Sequence, residues 1–147
     1  MGAAVAPLLI QDVHKTYNKH KVLEDIGFTL NSGEIFGLIG LNGAGKTTLI
    51  KIMLDLITCE NGGIEIAGIS ARDIQARKNI SYLPEKFQPS RYLKGMEYLD
   101  LALSYYGKTL DREAARKKAM ELDLDPDVLT ARVGSYSKGM GQKLGLV

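Results

Sequence analysis

The spacing of hydrophobic positions changes along the chain, from short runs in the first part to helical spacing after about residue 90. Leu8–Tyr17 and Val22–Leu30 are rich in β-forming residues, and the polar residues 18–21 separate them. This pattern predicts an antiparallel hairpin. From Lys94 the apolar residues recur with helical spacing, and Gly107 is placed to end that helix. We therefore expect a strand-rich part followed by a helical part.

Three more elements are predicted in the first part. Apolar residues occupy nearly every side of Thr47–Ile57, which indicates a core helix buried on both faces. Asn61–Gly63 breaks the chain. Alternation of apolar and polar residues then indicates short strands at Ile64–Ala67 and Asn79–Leu83, and Pro84 ends the second of them.

The helical part contains two predicted helices. The apolar face of the first comprises Tyr98, Leu99, Leu101, Ala102, Tyr105 and Tyr106. Asp111 can cap a second helix through Leu122, whose charged residues most simply form a solvated face. Asp123, Asp125 and Asp127 resemble a loose metal loop. They lack the glycine and the terminal glutamate of a calcium site, so we do not assign a metal to them.

A glycine-rich stretch follows the apolar run Ile35–Ile39, which we predict to be a strand. Gly40–Thr48 fits G-x-x-x-x-G-K-T, the phosphate-binding loop between a strand and a helix. Glycines allow backbone N–H groups to surround a phosphate chain, and the next helix directs its positive dipole end toward it. The predicted nucleotide-binding residues here are Gly40, Asn42, Gly43, Ala44, Gly45, Lys46, Thr47 and Thr48. The alternative is a chance glycine-rich turn.

The side chains of this loop suggest how a nucleotide triphosphate is held. Lys46 would reach the β and γ phosphates and would act in catalysis by neutralising charge there. The Thr47 hydroxyl would be a Mg²⁺ ligand, because Mg²⁺ prefers hard oxygen donors shared with the nucleotide. We therefore expect ATP and Mg²⁺ as ligands, with Lys46 as the catalytic residue.

Composition adds few constraints. A chain of 147 residues with a formal charge of +2 and interspersed acids and bases fits one soluble domain and gives no case for nucleic acid as a partner. Cys59 is the single cysteine, which excludes an internal disulfide. No segment reaches the roughly 20 apolar residues of a membrane span. The composition is that of an ordinary soluble protein, so we expect a cytosolic one. Met1–Leu9 lacks the basic region of a secretory signal, and we expect a frayed end there.

A second motif lies near the end of the sequence. Gly134–Leu144 reads Gly-Ser-Tyr-Ser-Lys-Gly-Met-Gly-Gln-Lys-Leu and is similar to the signature region of ABC ATPases. It follows the phosphate-binding loop by about 90 residues, and an aromatic residue, Tyr17, precedes that loop. Over residues 8–147 the chain resembles the nucleotide-binding subunits of ABC transporters.

This resemblance implies an α/β fold with a phosphate-loop core, a small antiparallel β subdomain and a helical subdomain. It assigns adenine stacking to Tyr17 and γ-phosphate binding to Ser137 and Gly139. It also implies a head-to-tail pair of nucleotide-binding domains around ATP, transmembrane partner subunits, and a place on the cytoplasmic face of the membrane. Alternatively, Tyr17 is a core aromatic and the signature is a polar turn with a helix cap.

The chain departs from the family pattern near its predicted metal site. Glu85 stands where the family usually has glutamine, and its carboxylate can still bind Mg²⁺. Lys138 and Met140 replace the commonest signature residues, a variation that resembles exporter-type subunits.

The acidic motif of phosphate-loop ATPases is missing. No apolar run after Thr48 ends in Asp followed by Glu, the pair that holds Mg²⁺ and polarises water in this family. We therefore expect an incomplete domain, divided at about 8–90, 91–136 and 137–147, that is inactive alone although its parent protein hydrolyses ATP. The alternatives are a nucleotide-binding fragment without turnover and a soluble ABC ATPase of DNA repair or translation. A GTPase is disfavoured because no N-K-x-D tetrapeptide occurs.

Overall fold

The computed structural model describes residues 5–147. Contacts within the chain divide it into two compact units, one reaching to Ser81 and the other running from Tyr82 to Val147. The predicted division at 8–90, 91–136 and 137–147 stays a prediction. The expectation of a frayed end falls in part on residues 1–4, which lie outside the described residues.

The first unit is built on a four-stranded antiparallel sheet with the order β2-β1-β3-β4. The strands are β1 (Leu8–Tyr17), β2 (His20–Leu30), β3 (Asn61–Ile66) and β4 (Ile69–Ser70). The hairpin prediction is confirmed, with a tighter turn than expected. Asn18 and Lys19 have φ of 48° and 67°, the geometry of a two-residue turn that matches strand twist. His20 and Lys21 therefore belong to β2.

One helix packs on this sheet. Helix α1 spans Lys46–Met53, and Leu49 and Ile52 are its buried residues. They join a core of sheet residues that includes Ile10 and Val13. The prediction of a helix through residue 57 buried on both faces is wrong, because the helix stops at Met53 and only one face is covered. Beyond α1, Ile74–Asn79 forms a short 3-10 helix.

Two predicted strands do not form. Ile35–Ile39 has no strand geometry and is exposed, with Ile35 at 102% and Ile39 at 94% relative accessibility. Asn79–Leu83 also forms no strand: Asn79 ends the 3-10 helix, and residues 80–83 have no strand geometry, although Ile80 has extended backbone angles. A strand requires a hydrogen-bonded neighbour. Among residues 5–147 no segment pairs with either run, so their apolar pattern alone does not produce a strand.

The second unit is helical. It contains α2 (Gly95–Ser104), α3 (Arg112–Glu121), α4 (Lys138–Leu144) and 3-10 turns at Pro126–Thr130 and Val133–Ser135. Its buried core comprises Met96, Leu99, Ala115, Ala119, Leu124, Leu129, Val133 and Leu144. The predicted cap is confirmed, since the Asp111 carboxylate accepts from Glu113 N at 2.9 Å and from Ala114 N at 3.1 Å. The predicted apolar face of α2 is only partly right, because Leu101, Tyr105 and Tyr106 are exposed.

Candidate functional site

The turn ahead of α1 depends on glycine at two positions. Gly43 and Gly45 have φ of 88° and 86°, in the left-handed region that side chains disfavour. At Gly45 an added Cβ would also lie 2.7 Å from Val22 O. The turn is closed by Ala44 N, which donates to Leu41 O at 3.2 Å. The glycine spacing of the motif is therefore a steric requirement of this turn.

The turn delivers the start of α1 without a side-chain cap. Gly45 is the N-cap residue, and the backbone hydrogen bond from Leu49 N to Gly45 O, 2.9 Å, belongs to the first helical turn. The N–H groups of Lys46, Thr47 and Thr48 therefore precede the helical ladder. Together with the positive end of the helix dipole, they form a site suited to an anion.

Lys46 points back into this turn. Its Nζ donates to Gly40 O at 2.6 Å and to Leu41 O at 2.7 Å. Across residues 5–147 its ammonium forms no ion pair with a carboxylate. The charge of Lys46 is thus held at the loop by neutral carbonyls, which an anionic phosphate can replace as partner.

The remaining side chains of the loop are accessible. Asn42, Ala44 and Thr47 are exposed, and Thr48 is half-buried. The Thr47 hydroxyl lies on the first turn of α1, next to the lysine. Loop, lysine and threonine are brought together by a single stretch of chain.

Tyr17 ends β1, one residue before the hairpin turn. Its side chain is 44% exposed, so Tyr17 is not a core residue. The Lys15 ammonium lies 5.3 Å from the ring centroid. The adjacent Thr16 N donates to Glu60 Oε1 at 2.9 Å, and this hydrogen bond lowers the pKa of the Glu60 carboxyl. Glu60 therefore fixes the end of the strand that carries Tyr17.

The signature turn lies in the second unit. Ser137 is the N-cap of α4, and its Oγ accepts from Met140 N at 3.2 Å. In return, Ser137 N donates to the Met140 thioether sulfur at 3.4 Å. This is a capping box in which methionine occupies the place usual for glutamate or glutamine. Gly139 is exposed, with no other atom closer than 4.0 Å to a Cβ added there.

Glu85 lies beside this turn. Its carboxylate is exposed, and its backbone oxygen accepts from Gln142 Nε2 at 2.9 Å. Glu85, Ser137 and Lys138 line one cleft of about 660 Å³. The second unit therefore brings Glu85 and the signature serine together, whereas Tyr17 and the phosphate-binding loop belong to the first unit.

Two positioning residues were missed by the sequence analysis. Gln142 holds the Glu85 backbone across 57 positions of sequence, and no local pattern indicates such a contact. Tyr136 lines the same cleft and donates its hydroxyl to Val128 O at 2.6 Å. Burial raises the pKa of Tyr136, which keeps the hydroxyl protonated as a donor.

The aspartates after α3 have structural roles. Asp125 accepts from Asp127 N at 2.9 Å and caps a 3-10 turn, and Asp127 pairs with Arg116 at 2.8 Å. Within residues 5–147, no helix is long and apolar enough to cross a membrane.

Comparison with known proteins covers both motifs. The sequence profile of the ABC transporter family matches residues 23–147. The chain is 34% identical over 146 residues to the doxorubicin resistance ATP-binding protein DrrA of Mycobacterium tuberculosis, covering 95% of this chain and 44% of that protein. It is 35% identical over 147 residues to the ABC-type transporter ATP-binding protein EcsA of Bacillus subtilis, covering 93% and 57%.

A solved structure supports the same assignment. The ATP binding subunit of an ABC transporter superposes with a TM-score of 0.80 at 34% identity, covering 95% of this chain and 59% of that one. The chain thus spans about half the length of the curated relatives described above. The α/β fold class predicted from the sequence is confirmed by this likeness. The chain therefore belongs to the ABC transporter family and has the fold of its ATP-binding subunits.

Proposed function

We propose that the protein containing this chain binds ATP and hydrolyses it to drive transport of a substrate across a membrane. The observation that carries the proposal is the loop at Gly40–Thr48, where a lysine ammonium held by two neutral carbonyls meets the start of α1, which has no side-chain cap. A phosphate chain supplies the negative charge that both features favour. The names of the relatives support a transporter over a soluble ATPase of repair or translation.

Each residue of the loop has a separate task in this proposal. The backbone N–H groups between Asn42 and Thr48 surround the phosphates, and Lys46 leaves the carbonyls of Gly40 and Leu41 to contact the β and γ phosphates. Tyr17, half-exposed at the end of β1, stacks on the adenine.

Ser137 and Gly139 contact the γ phosphate on a second nucleotide-binding domain, in a homodimer or a pseudo-dimer. Gly139 fits this task because the space around it is open. The two units of this chain would thus serve two different nucleotides.

The residues present fit a Mg²⁺ ion bound with the nucleotide. The Thr47 hydroxyl is exposed at the start of α1 and offers a hard oxygen donor. The exposed Glu85 carboxylate belongs to the second unit and stays a metal ligand predicted from the sequence alone. The ion neutralises charge on the transferred phosphoryl group when bound. Lys46 adds a second positive charge from the protein.

ATP hydrolysis by these 147 residues alone has less support than ATP binding. No apolar run after Thr48 carries the Asp-Glu pair that would hold the metal and polarise water. We infer that residues 1–147 by themselves bind nucleotide without hydrolysing it. In the whole protein, transmembrane subunits would hold the pair of domains at the cytoplasmic face of the membrane.

Lys46→Ala tests the proposal, with Lys51→Ala as the matched control on an exposed position of the same helix. Removing the charge from the phosphate site should cost about 2 to 5 kcal/mol of ATP binding, by analogy with truncating one partner of a buried charge pair. Calorimetry with ATP and Mg²⁺ on folded variants measures the loss. Equal affinities for Lys46→Ala, Lys51→Ala and the parent chain would rule out the loop as the binding site.

A further inference from the structure

We propose that Asp12, His14 and Asp25 form a binding site for a divalent transition-metal ion of the zinc class, separate from the nucleotide site. One ligating atom from each of the three side chains lies within 4.8 Å of the other two. Among the described residues, 5–147, this is the single group of three such side chains that meets this distance.

The β1–β2 hairpin brings the three side chains together. His14 follows Asp12 by two residues on β1, and the two side chains are in contact. The pairing of β1 with β2 shifts between Ile10 and Val13 and again before Lys15. Such bulges change the direction of side chains. Asp12 and Asp25 have φ of 49° and 54° at these irregularities, and Asp25 comes from the neighbouring strand.

The charges around the group favour a cation. Asp12 Oδ1 lies 2.7 Å from His14 Nε2, whereas Asp25 has no ion-pair partner within residues 5–147. Lys15 and Lys21, which lie on these two strands, contact other groups. The Lys15 ammonium lies over the ring of Tyr17, and that of Lys21 pairs with Glu24. Two carboxylates therefore converge with only one histidine to offset their repulsion.

The chemistry of these three ligand side chains determines which metal fits. One imidazole nitrogen and two carboxylate oxygens are ligands that zinc accepts in a four-coordinate site with one position left for water. Calcium and magnesium prefer oxygen ligands alone, so the histidine disfavours them. The side chains of His14 and Asp12 are 32% and 62% exposed, so an ion can reach them from solvent. It would take the place of the hydrogen bond between them.

The chain offers matched controls. It contains two histidines, and His20 lies on the same hairpin outside the group. Asp100 is an exposed aspartate on α2. The test is calorimetric titration of the full 147-residue chain with zinc chloride, without nucleotide, for the parent and for His14→Ala, Asp25→Asn, His20→Ala and Asp100→Asn. Urea unfolding of each variant checks that it is folded.

We expect one zinc ion per parent chain, an affinity at least about tenfold lower in His14→Ala and Asp25→Asn, and unchanged affinity in His20→Ala and Asp100→Asn. NMR of the parent should show the imidazole signals of His14 shifting with zinc while those of His20 stay in place. If the parent binds no zinc, or if His14→Ala and His20→Ala bind it equally, the site does not exist. An NMR response at His20 alone would overturn the proposal as well.

Discussion

The two units of this chain hold the residues that we propose to contact phosphate in different ways. In the first unit the loop at Gly40–Thr48 is exposed and depends on backbone geometry, with Gly45 packed against Val22. In the second unit the turn at Ser137 is fixed by side chains, through the box with Met140. The loop at Gly45 should therefore be sensitive to an added side chain, whereas the turn at Ser137 should be sensitive to the loss of a hydrogen-bonding group.

The largest expected effect is the absence of turnover that we propose for residues 1–147 alone. With Mg²⁺ and ATP, residues 1–147 should show no phosphate release above background. The missing groups that position metal and water each contribute on the order of a hundredfold or more. A purified-protein phosphate assay measures this. Activity that survives repurification and disappears in Lys46→Ala would contradict the expectation, and would direct attention to Glu85 as a carboxylate acting on water.

Substituting alanine for Gly45 in the first unit and for Gly139 in the second compares the two sites directly. Gly45→Ala should destabilise the protein by roughly 2 to 5 kcal/mol, because the new Cβ meets Val22 O and the left-handed backbone disfavours a side chain. Gly139→Ala, with open space at its Cβ, should leave stability nearly unchanged. Urea unfolding measures both variants. Equal losses would remove the contrast between the units.

Tyr17 tests whether the first unit also contributes a side chain to nucleotide binding. Stacking on a base is worth about 1 to 3 kcal/mol and depends little on which base is present. Tyr17→Ala should therefore weaken ATP and GTP binding alike, while Tyr17→Phe should be nearly silent. Tyr106→Ala, an exposed aromatic of the second unit, is the control. If Phe is as damaging as Ala, the hydroxyl rather than the ring makes the contact.

Loss of the cap should affect the second unit alone. Ser137→Ala removes the acceptor for Met140 N and should cost about 1 kcal/mol of stability. Ser104→Ala, which loses only a hydroxyl donating to Leu101 O, serves as the comparison. Hydrogen exchange of the α4 amides reports the local effect. Unchanged protection in α4 would mean that the serine does not stabilise the helix start.

The smallest effect is a difference in pH response. Hydrogen bonds lower the pKa of Glu34, through Asn31, and of Glu60, through Thr16 N, below the model-compound value of 4.5. A lowered pKa stabilises the fold above 4.5, and that contribution is lost as pH falls through the folded-state value. Both residues belong to the first unit.

In the second unit burial raises the pKa of Tyr98 and Tyr136 above 10.0, so stability should fall as pH rises through the raised values. NMR signals of the first unit should therefore change first in acid, and those of the second unit first in alkali. If the NMR signals of the same unit change first in both acid and alkali, this expectation is contradicted.

Sequence alone predicted the local features well. The hairpin, the cap at Asp111 and the start of α1 were predicted and are present. The cap at Ser137 was only the alternative interpretation of the signature motif, and it is present as well. The helix after the loop was expected to start near Lys46, and α1 starts at Lys46. Each of these features depends on residues within a few positions of one another, through a steric limit or a short-range hydrogen bond.

The tertiary structure decided what depends on distant partners. The runs Ile35–Ile39 and Asn79–Leu83 were predicted to be strands, yet neither is one, since strand formation requires a paired neighbour and not a pattern alone. Likewise, the bond between Gln142 and Glu85 joins residues far apart in sequence. The sequence therefore determined the loop, the turns and the caps, and long-range contacts determined which apolar segments pair and which side chains share a cleft.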